Sequence, residues 1–508
     1  MRPAPVVAGL LPLLALSPAA SGFSATGLDV RAACPGTVSS AGAYYAARAP
    51  SAAAPPLSTA SPACRRLRSA HAETALSTAT AAEGDDSSSG EGTATIPAEI
   101  FNLVKSIVGA GVLSLPAGIA AFASSPSAIV PAAALIASIG GLSAYTFSMI
   151  ARVCKNTGAT SYADAWDRTR GTKTAWIVAM SSALDCVAGN LSYSMILADT
   201  FKDLLAAGGI AATRTNALLG VTSLILLPLC LVKNLSSLAP FSLVGIMGML
   251  YTGLAIGIRY FGGAYAMPAG KFVSDLAPHL QPSFGTVGAS GVLGPQSLIL
   301  VCMLSTAYIA HFNAPKFYRE LKNNTMKRFN TVVTASFGLS VALYVAVASM
   351  GFLTFGSACQ GLILNNYSTK DALVGLSRFA VALSLVFSYP LLFVGGRDGI
   401  LDLAKVPESD RSNSLQNKVT LAMLGVITAL AARLHDLTFV SSISGAVFGT
   451  ALIFVYPPLM FRNMVKNMGE RAGRTMQFEK KMAKFTAALG VIIGLIGTKM
   501  ACGSVSFH

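Results

Sequence analysis

Charge is what this chain has least of: Asp, Glu, Lys and Arg supply 12% of its residues, against 53% hydrophobic ones. A soluble domain carries about 25% charged residues, so the shortage excludes a chain that folds in water alone. Acidic residues are rarer than basic ones, leaving a net charge of +15 over 508 residues. That excess does not make a nucleic-acid partner, because the basic residues fall in short loops between apolar runs. The cysteines (Cys34, Cys64, Cys154, Cys186, Cys230, Cys302, Cys359, Cys502) stand singly, with no CxxC and no metal-ligand spacing. Most read as small apolar residues of helices, and only Cys359 and Cys502 fall where a bridge is expected. Also missing are HExxH, GxSxG in a strand-turn-helix setting, a Walker A loop and paired carboxylates at metal spacing. These absences exclude the common hydrolases and ATP-driven pumping, and call for no catalytic residue, cofactor or metal. No soluble domain is left over either, since the longest internal loop, 261–295, is Gly-rich and nearly uncharged.

What is present is a series of apolar runs. A membrane span needs about 20 apolar residues. Eleven stretches qualify, near 100–122, 127–151, 175–200, 215–232, 238–260, 297–318, 330–355, 372–395, 418–433, 437–461 and 483–501. Loops after even-numbered stretches carry the basic residues, such as Arg152, Lys155 and Arg168, or Lys316, Arg319 and Lys322. Loops after odd-numbered ones hold only Lys202, Arg214, Arg259, Lys271, Lys370 and Arg433. The asymmetry places the N-terminus on the cytoplasm-equivalent side and the C-terminus opposite.

Three regions follow. Residues 1–22 contain Arg2, the apolar run Val6–Leu16 and small residues after it, the form of a signal segment. Residues 23–95 begin Ser-, Ala- and Arg-rich with acids limited to Asp29 and Glu73, transit-like, and end in the acidic Gly/Ser linker 83–95. Such a leader points to a plastid or other organelle membrane, with a cytoplasmic tail as the competing reading. Residues 96–504 form the transmembrane region.

The stretch that organises the rest is Asn102–Pro116, N-L-V-K-S-I-V-G-A-G-V-L-S-L-P. Glycine costs about 1 kcal/mol and proline about 3 in a helix interior, so Gly109, Gly111 and Pro116 prepare this helix to unwind. Unwound backbone at membrane depth survives only where it lines a cavity. Glycines alone are equally suited to close helix packing; Asn102 and Lys105 tip the balance toward a site, since intramembrane polar groups are costly. Three further places carry polar groups: Asp185, Asn190, Tyr193 and Asp199 in the third stretch, His311 and Asn313 before Pro315 in the sixth, and Ser388 before Pro390 in the eighth. Asp185 and His311 each suit proton transfer. Their bland readings are a helix-end carboxylate or salt bridge, and a neutral hydrogen-bonded histidine. For Ser388 the bland reading is a bond back to its own helix.

From about Ile96 onward the chain resembles the amino acid/auxin permease family of the amino acid–polyamine–organocation superfamily. The likeness rests on 102–116, on A-Y-I-A-H-F-N-A-P-K-F-Y-R-E-L (307–321) and on S-Y-P-L-L-F (388–393). The resemblance implies an all-α, LeuT-type 5+5 inverted repeat plus an eleventh helix. It implies an amino acid bound at broken helices 1 and 6, with Ser106, Gly109, Ala110, Gly111, Tyr193, Tyr308, His311 and Asn313 around it. Asn102 and Ser388 match positions that sodium-coupled members use for their cation. Lys105 departs from those members and resembles proton-coupled, vacuolar ones. With Asp185 it makes proton coupling the first expectation and sodium coupling the alternative. A channel or a substrate sensor on the same fold is the rival class, and a vacuolar membrane the alternative location.

Overall fold

The computed structural model describes residues 92–232 and 241–503, without the side chains of 241–244 and Glu408. The expected signal segment and nearly all of the transit-like region lie outside the described residues. Within them the architecture is helical, with two isolated backbone bridges and no sheet.

Sixteen α-helices follow in order: α1 Ile96–Ile107, α2 Leu115–Ala120, α3 Ile129–Thr157, α4 Tyr162–Arg170, α5 Ala175–Ala207, α6 Arg214–Val221, α7 Leu227–Leu231 and α8 Phe241–Phe261; then α9 Ser297–Ala307, α10 Ala314–Glu320, α11 Met326–Phe355, α12 Ala372–Leu403, α13 Asn413–Arg433, α14 Leu437–Ser444, α15 Tyr456–Met468 and α16 Arg474–Gly503. Among the described residues, eight helical stretches are long and apolar enough to cross a membrane, and nine if α1 and α2 are counted as one bent span. The helix starts follow local capping chemistry. The hydroxyls of Thr95, Ser161, Thr213, Thr325 and Ser412 and the carboxylates of Asp371 and Asp436 accept first-turn amides. A π-helical turn at Thr222–Leu226 joins α6 to α7, and two more link α14 to α15.

The helices pack in two groups. In the first, α11 lies against α1, α2 and α3, while α9 and α10 contact α2 and α3. In the second, α5 lies against α6, α12 and α13. The helix α8 packs on both α11 and α12, and α14 on both α9 and α5. The apolar core runs through both groups, and large apolar side chains such as Leu224, Leu254, Phe485 and Leu495 remain on the outer faces. That exposure suits a lipid solvent.

One expectation changes. The expected Cys359–Cys502 bridge is not formed, both being free thiols. Asp199 is paired with Arg214 at 2.6 Å. Pro390 sits inside a continuous helix.

Candidate functional site

Helix α1 stops where the glycines begin. Val108 and Gly109 are extended, a 3₁₀ turn covers Ala110–Ser114, and α2 resumes with Pro116 in its first turn. The two halves are bent by 45°. The second interruption lies between α9 and α10. Helix α9 stops at Ala307, a 3₁₀ turn spans His311–Asn313, and Pro315 opens α10, where its missing N–H costs nothing.

The two breaks lie side by side. A Cβ placed on Gly111 would stand 3.5 Å from the Cα and Cβ of Ala307, and one on Gly109 3.5 Å from the Tyr193 hydroxyl of α5. The carbonyls released at the breaks meet at one group, since the Tyr344 hydroxyl of α11 is 2.8 Å from both the Ile107 and the Ala307 oxygen. Tyr344 is fully buried, with its ring centroid 4.8 Å from that of Tyr308. Tyr308 in turn donates to the Ile136 carbonyl at 3.3 Å. Ser114 donates to the Gly111 carbonyl at 2.8 Å. Gly109, Ala110 and Gly111 thus lie at the first break, with Tyr193 and Tyr308 near the two breaks. Tyr344 was missed, being the one tyrosine within the largely apolar run L-S-V-A-L-Y-V-A-V.

His311 belongs to the second break but points into α3. Its Nε2 is 3.0 Å from Thr146 Oγ1 and 3.1 Å from the Ser143 carbonyl, while Nδ1 is buried with no partner. A carbonyl can only accept, so Nε2 carries the hydrogen and Nδ1 a bare lone pair. The Phe147 ring meets the imidazole edge-on at 5.6 Å. Asn313 is half-buried and its side chain makes no hydrogen bond among the described residues.

The candidate ion-coupling residues are not gathered. Asn102 is exposed, as is Ser106 of the expected substrate set, Lys105 is half-buried, and Asp185 is 6% exposed, facing Ser444 of α14 outside ordinary hydrogen-bond geometry. Among the described residues neither Lys105 nor Asp185 has an ion pair, so the two do not neutralise each other. Ser388 is half-buried and shows no bond back to its own helix. Helix α1 packs on α11 and makes at most slight contact with α12, which leaves Asn102 and Ser388 without a shared site in this conformation.

Polar ties concentrate instead among the loops after odd-numbered stretches. The buried Asp371 takes a bidentate pair from Arg259 at 2.8 and 2.6 Å and the Tyr265 hydroxyl at 3.0 Å, and it caps α12. Arg378, 3% exposed, donates to the Leu364 and Tyr367 carbonyls and lies 3.3 Å from Asp203.

Residues 92–500 match the family described as "Transmembrane amino acid transporter protein". The chain is 25% identical to "Putative sodium-coupled neutral amino acid transporter 11" of Danio rerio, over 80% of this chain and 86% of that one. It is 27% identical to "Vacuolar amino acid transporter 7" of Saccharomyces cerevisiae, over 60% and 58%. It is 23% identical to "Amino acid transporter AVT6E" of Arabidopsis thaliana, over 82% and 84%. Among solved structures, "Crystal structure of MhsT in complex with L-phenylalanine" aligns over 79% of this chain and 98% of that one, with a TM-score of 0.47 and 11% identity.

Proposed function

The chain belongs to the transmembrane amino acid transporter family and is a multi-pass membrane protein, and from that premise we propose that it is a secondary active, proton-coupled amino acid transporter working by alternating access. One observation carries the reading: two interrupted helices lie side by side, with their freed carbonyls converging on the Tyr344 hydroxyl. Backbone opened at this depth needs polar company, and an amino acid brings an ammonium for carbonyls and a carboxylate for amides. Gly109, Ala110, Gly111, Tyr193 and Tyr308 would line that site, with Ser106, His311 and Asn313 completing it as the conformation changes.

We read α5 and α8, of 33 and 21 residues, as spans too, which with the bent pair gives eleven. The two packing groups then hold spans 1, 2, 6, 7 and 3, 4, 8, 9, the division a 5+5 inverted repeat requires. Labels placed in the turn 469–473 and after His508 should then lie on opposite sides. Finding both on one side removes the eleven-span reading.

Proton coupling draws on Lys105, whose ammonium would compete with a sodium ion in any conformation that brought Asn102 and Ser388 together. Asp185 is the proposed proton carrier and His311 its rival. In proteoliposomes with an imposed pH gradient, Asp185→Asn should abolish accumulation yet keep counter-flow exchange, whereas His311→Gln should weaken binding without uncoupling. Uptake that follows a sodium gradient and ignores pH would establish the sodium-coupled alternative, the coupling in the name of the Danio rerio relative. Absence of counter-flow would favour a channel, and binding without movement a sensor. A vacuole-like organelle membrane is the proposed location, after the yeast relative.

A further inference from the structure

One buried acid has no part in the scheme above. Glu99, in the first turn of α1, is 1% exposed, and neither of its carboxyl oxygens has a hydrogen-bond partner. Its surroundings are well defined. Just before it, Ala94 forms a parallel backbone bridge with Leu321, its N–H reaching the Glu320 carbonyl and its carbonyl the Lys322 N–H, both at 2.9 Å. Just after it, the Ile100 carbonyl accepts the Ser336 hydroxyl of α11 at 3.3 Å. The charged groups that act on Glu99 are Glu320 and Lys316, both of α10, which pair with each other at 3.8 Å and are largely exposed. Helix α11 begins with Lys327 and Arg328; the Arg328 side chain is engaged with the Lys322 carbonyl, and neither acts appreciably on Glu99. A cleft of about 640 Å³, lined by Thr93, Thr160, Lys316, Arg319, Glu320 and Asn324, lies next to the Ala94–Leu321 bridge.

We infer that Glu99 is a proton-binding site whose neutral form clamps the first turn of α1 to the end of α10 and whose ionisation releases it. An ionised carboxylate without a single donor is an uncompensated buried charge. The helix N-terminus softens that cost only partly. The first turn of α1 is positioned for such a charge to leave by swinging toward Lys316 and the cleft. Doing so takes a side chain that is 1% exposed out of the packing at the start of α1. Because α1 is the half-helix that leads to the first break, the proton on Glu99 sets how readily this end of the molecule opens. The inference deepens the proton-coupled reading and rests on it for the effect on transport, not for the binding of the proton.

The test uses the full-length protein in proteoliposomes, as wild type, Glu99→Gln and Glu99→Asp. Amide hydrogen exchange of residues 96–100 is compared between wild type and Glu99→Gln at matched pH, so that the intrinsic pH dependence cancels. The two should be equally protected at low pH. Wild-type protection should then fall below that of Glu99→Gln by up to about tenfold per pH unit as the acid titrates, as linkage to one proton requires. Glu99→Asp should retain the pH dependence. Uptake by Glu99→Gln should keep the pH response that Asp185 supplies and lose only the component that follows the titration seen in the exchange ratio. A flat exchange ratio overturns the inference, as does a ratio that follows sodium at fixed pH. If the ratio tracks pH while wild-type accumulation ignores a pH gradient, the coupling reading falls and the clamp stands. If accumulation follows the pH gradient while the ratio stays flat, the clamp falls and the coupling stands.

Discussion

The Tyr344 hydroxyl stands 2.8 Å from the Ile107 carbonyl, and at the same 2.8 Å from that of Ala307, so one hydrogen serves two acceptors on two interrupted helices. Tyr344→Phe keeps the ring and removes that hydrogen. The Ile107 carbonyl keeps the Gly109 N–H at 3.0 Å, but the Ala307 carbonyl loses its donor, and a buried acceptor left unsatisfied costs roughly 1–3 kcal/mol, so thermal unfolding in detergent should move down measurably. Uptake should fall further than stability alone requires, because the breaks lose the group that holds them in register. Unchanged uptake in a stably folded Tyr344→Phe protein would show that the bridge is dispensable.

The glycines that matter most for packing are not those that first attract notice. Alanine at Gly111 meets Ala307 at an ordinary 3.5 Å, whereas alanine at Gly140 on α3 collides with Val341 and comes within 3.0 Å of the Tyr308 ring and hydroxyl. Overpacking of this kind costs about 1–3 kcal/mol. Gly140→Ala should therefore lower the melting temperature while Gly111→Ala leaves it nearly unchanged in the empty protein. A melting series of the two variants decides the matter.

The breaks were legible in the chain because their cause is local: glycine and proline penalties act on the helix that contains them. Tyr344 was not, since which face of a helix meets a freed carbonyl is decided by residues far away in sequence. The same limit applies to Lys105 and Asp185. Both were recognisable as costly intramembrane charges, but a linear pattern does not say whether two helices turn those side chains toward each other, and here they do not. Helix ends were misplaced for a different reason. Counting apolar residues put the last span at 483, while α16 starts at Arg474, because hydrogen bonding continues through Lys480, Lys481 and Lys484 where hydropathy fails. Glu99 was overlooked on the same ground, lying one residue before the first apolar run was taken to begin.

Asp371 and Lys370 offer a contrast between neighbouring ion pairs. Asp371 is fully buried with Arg259, whereas Lys370 reaches Asp275 at 2.6 Å with most of its side chain in solvent. Breaking a buried pair costs about 3–5 kcal/mol, and an exposed one about 0–1. Asp371→Asn should thus lower the unfolding temperature sharply and Lys370→Ala hardly at all. Equal effects would mean that the Asp371 cluster is not the tie it looks like.

Acid should loosen the loop helix α4 through Asp164. Burial, the largest single influence, raises this carboxyl, but the Arg168 side chain and the Thr160 N–H and hydroxyl together outweigh it and hold the carboxyl below its usual range. A depressed carboxyl lends stability that is present above its unfolded value, near 4, and lost as pH falls through the lower folded value. Amide exchange of 161–170 should rise below about pH 4 in wild type. In Asp164→Asn it should already be elevated at neutral pH, with no further acid step. The effect is small because the pair is largely exposed.

The backbone bridge between Ala94 and Leu321 has a practical consequence for handling this protein. A chain shortened to begin at residue 92 keeps both bonds of the bridge, and one shortened to begin at Ile96 loses them together with the Thr95 cap. Two truncations four residues apart therefore yield different starting materials, the second carrying a first helix that frays from its free end. Where a purification tag is fused or a protease site is cut decides which of the two is studied.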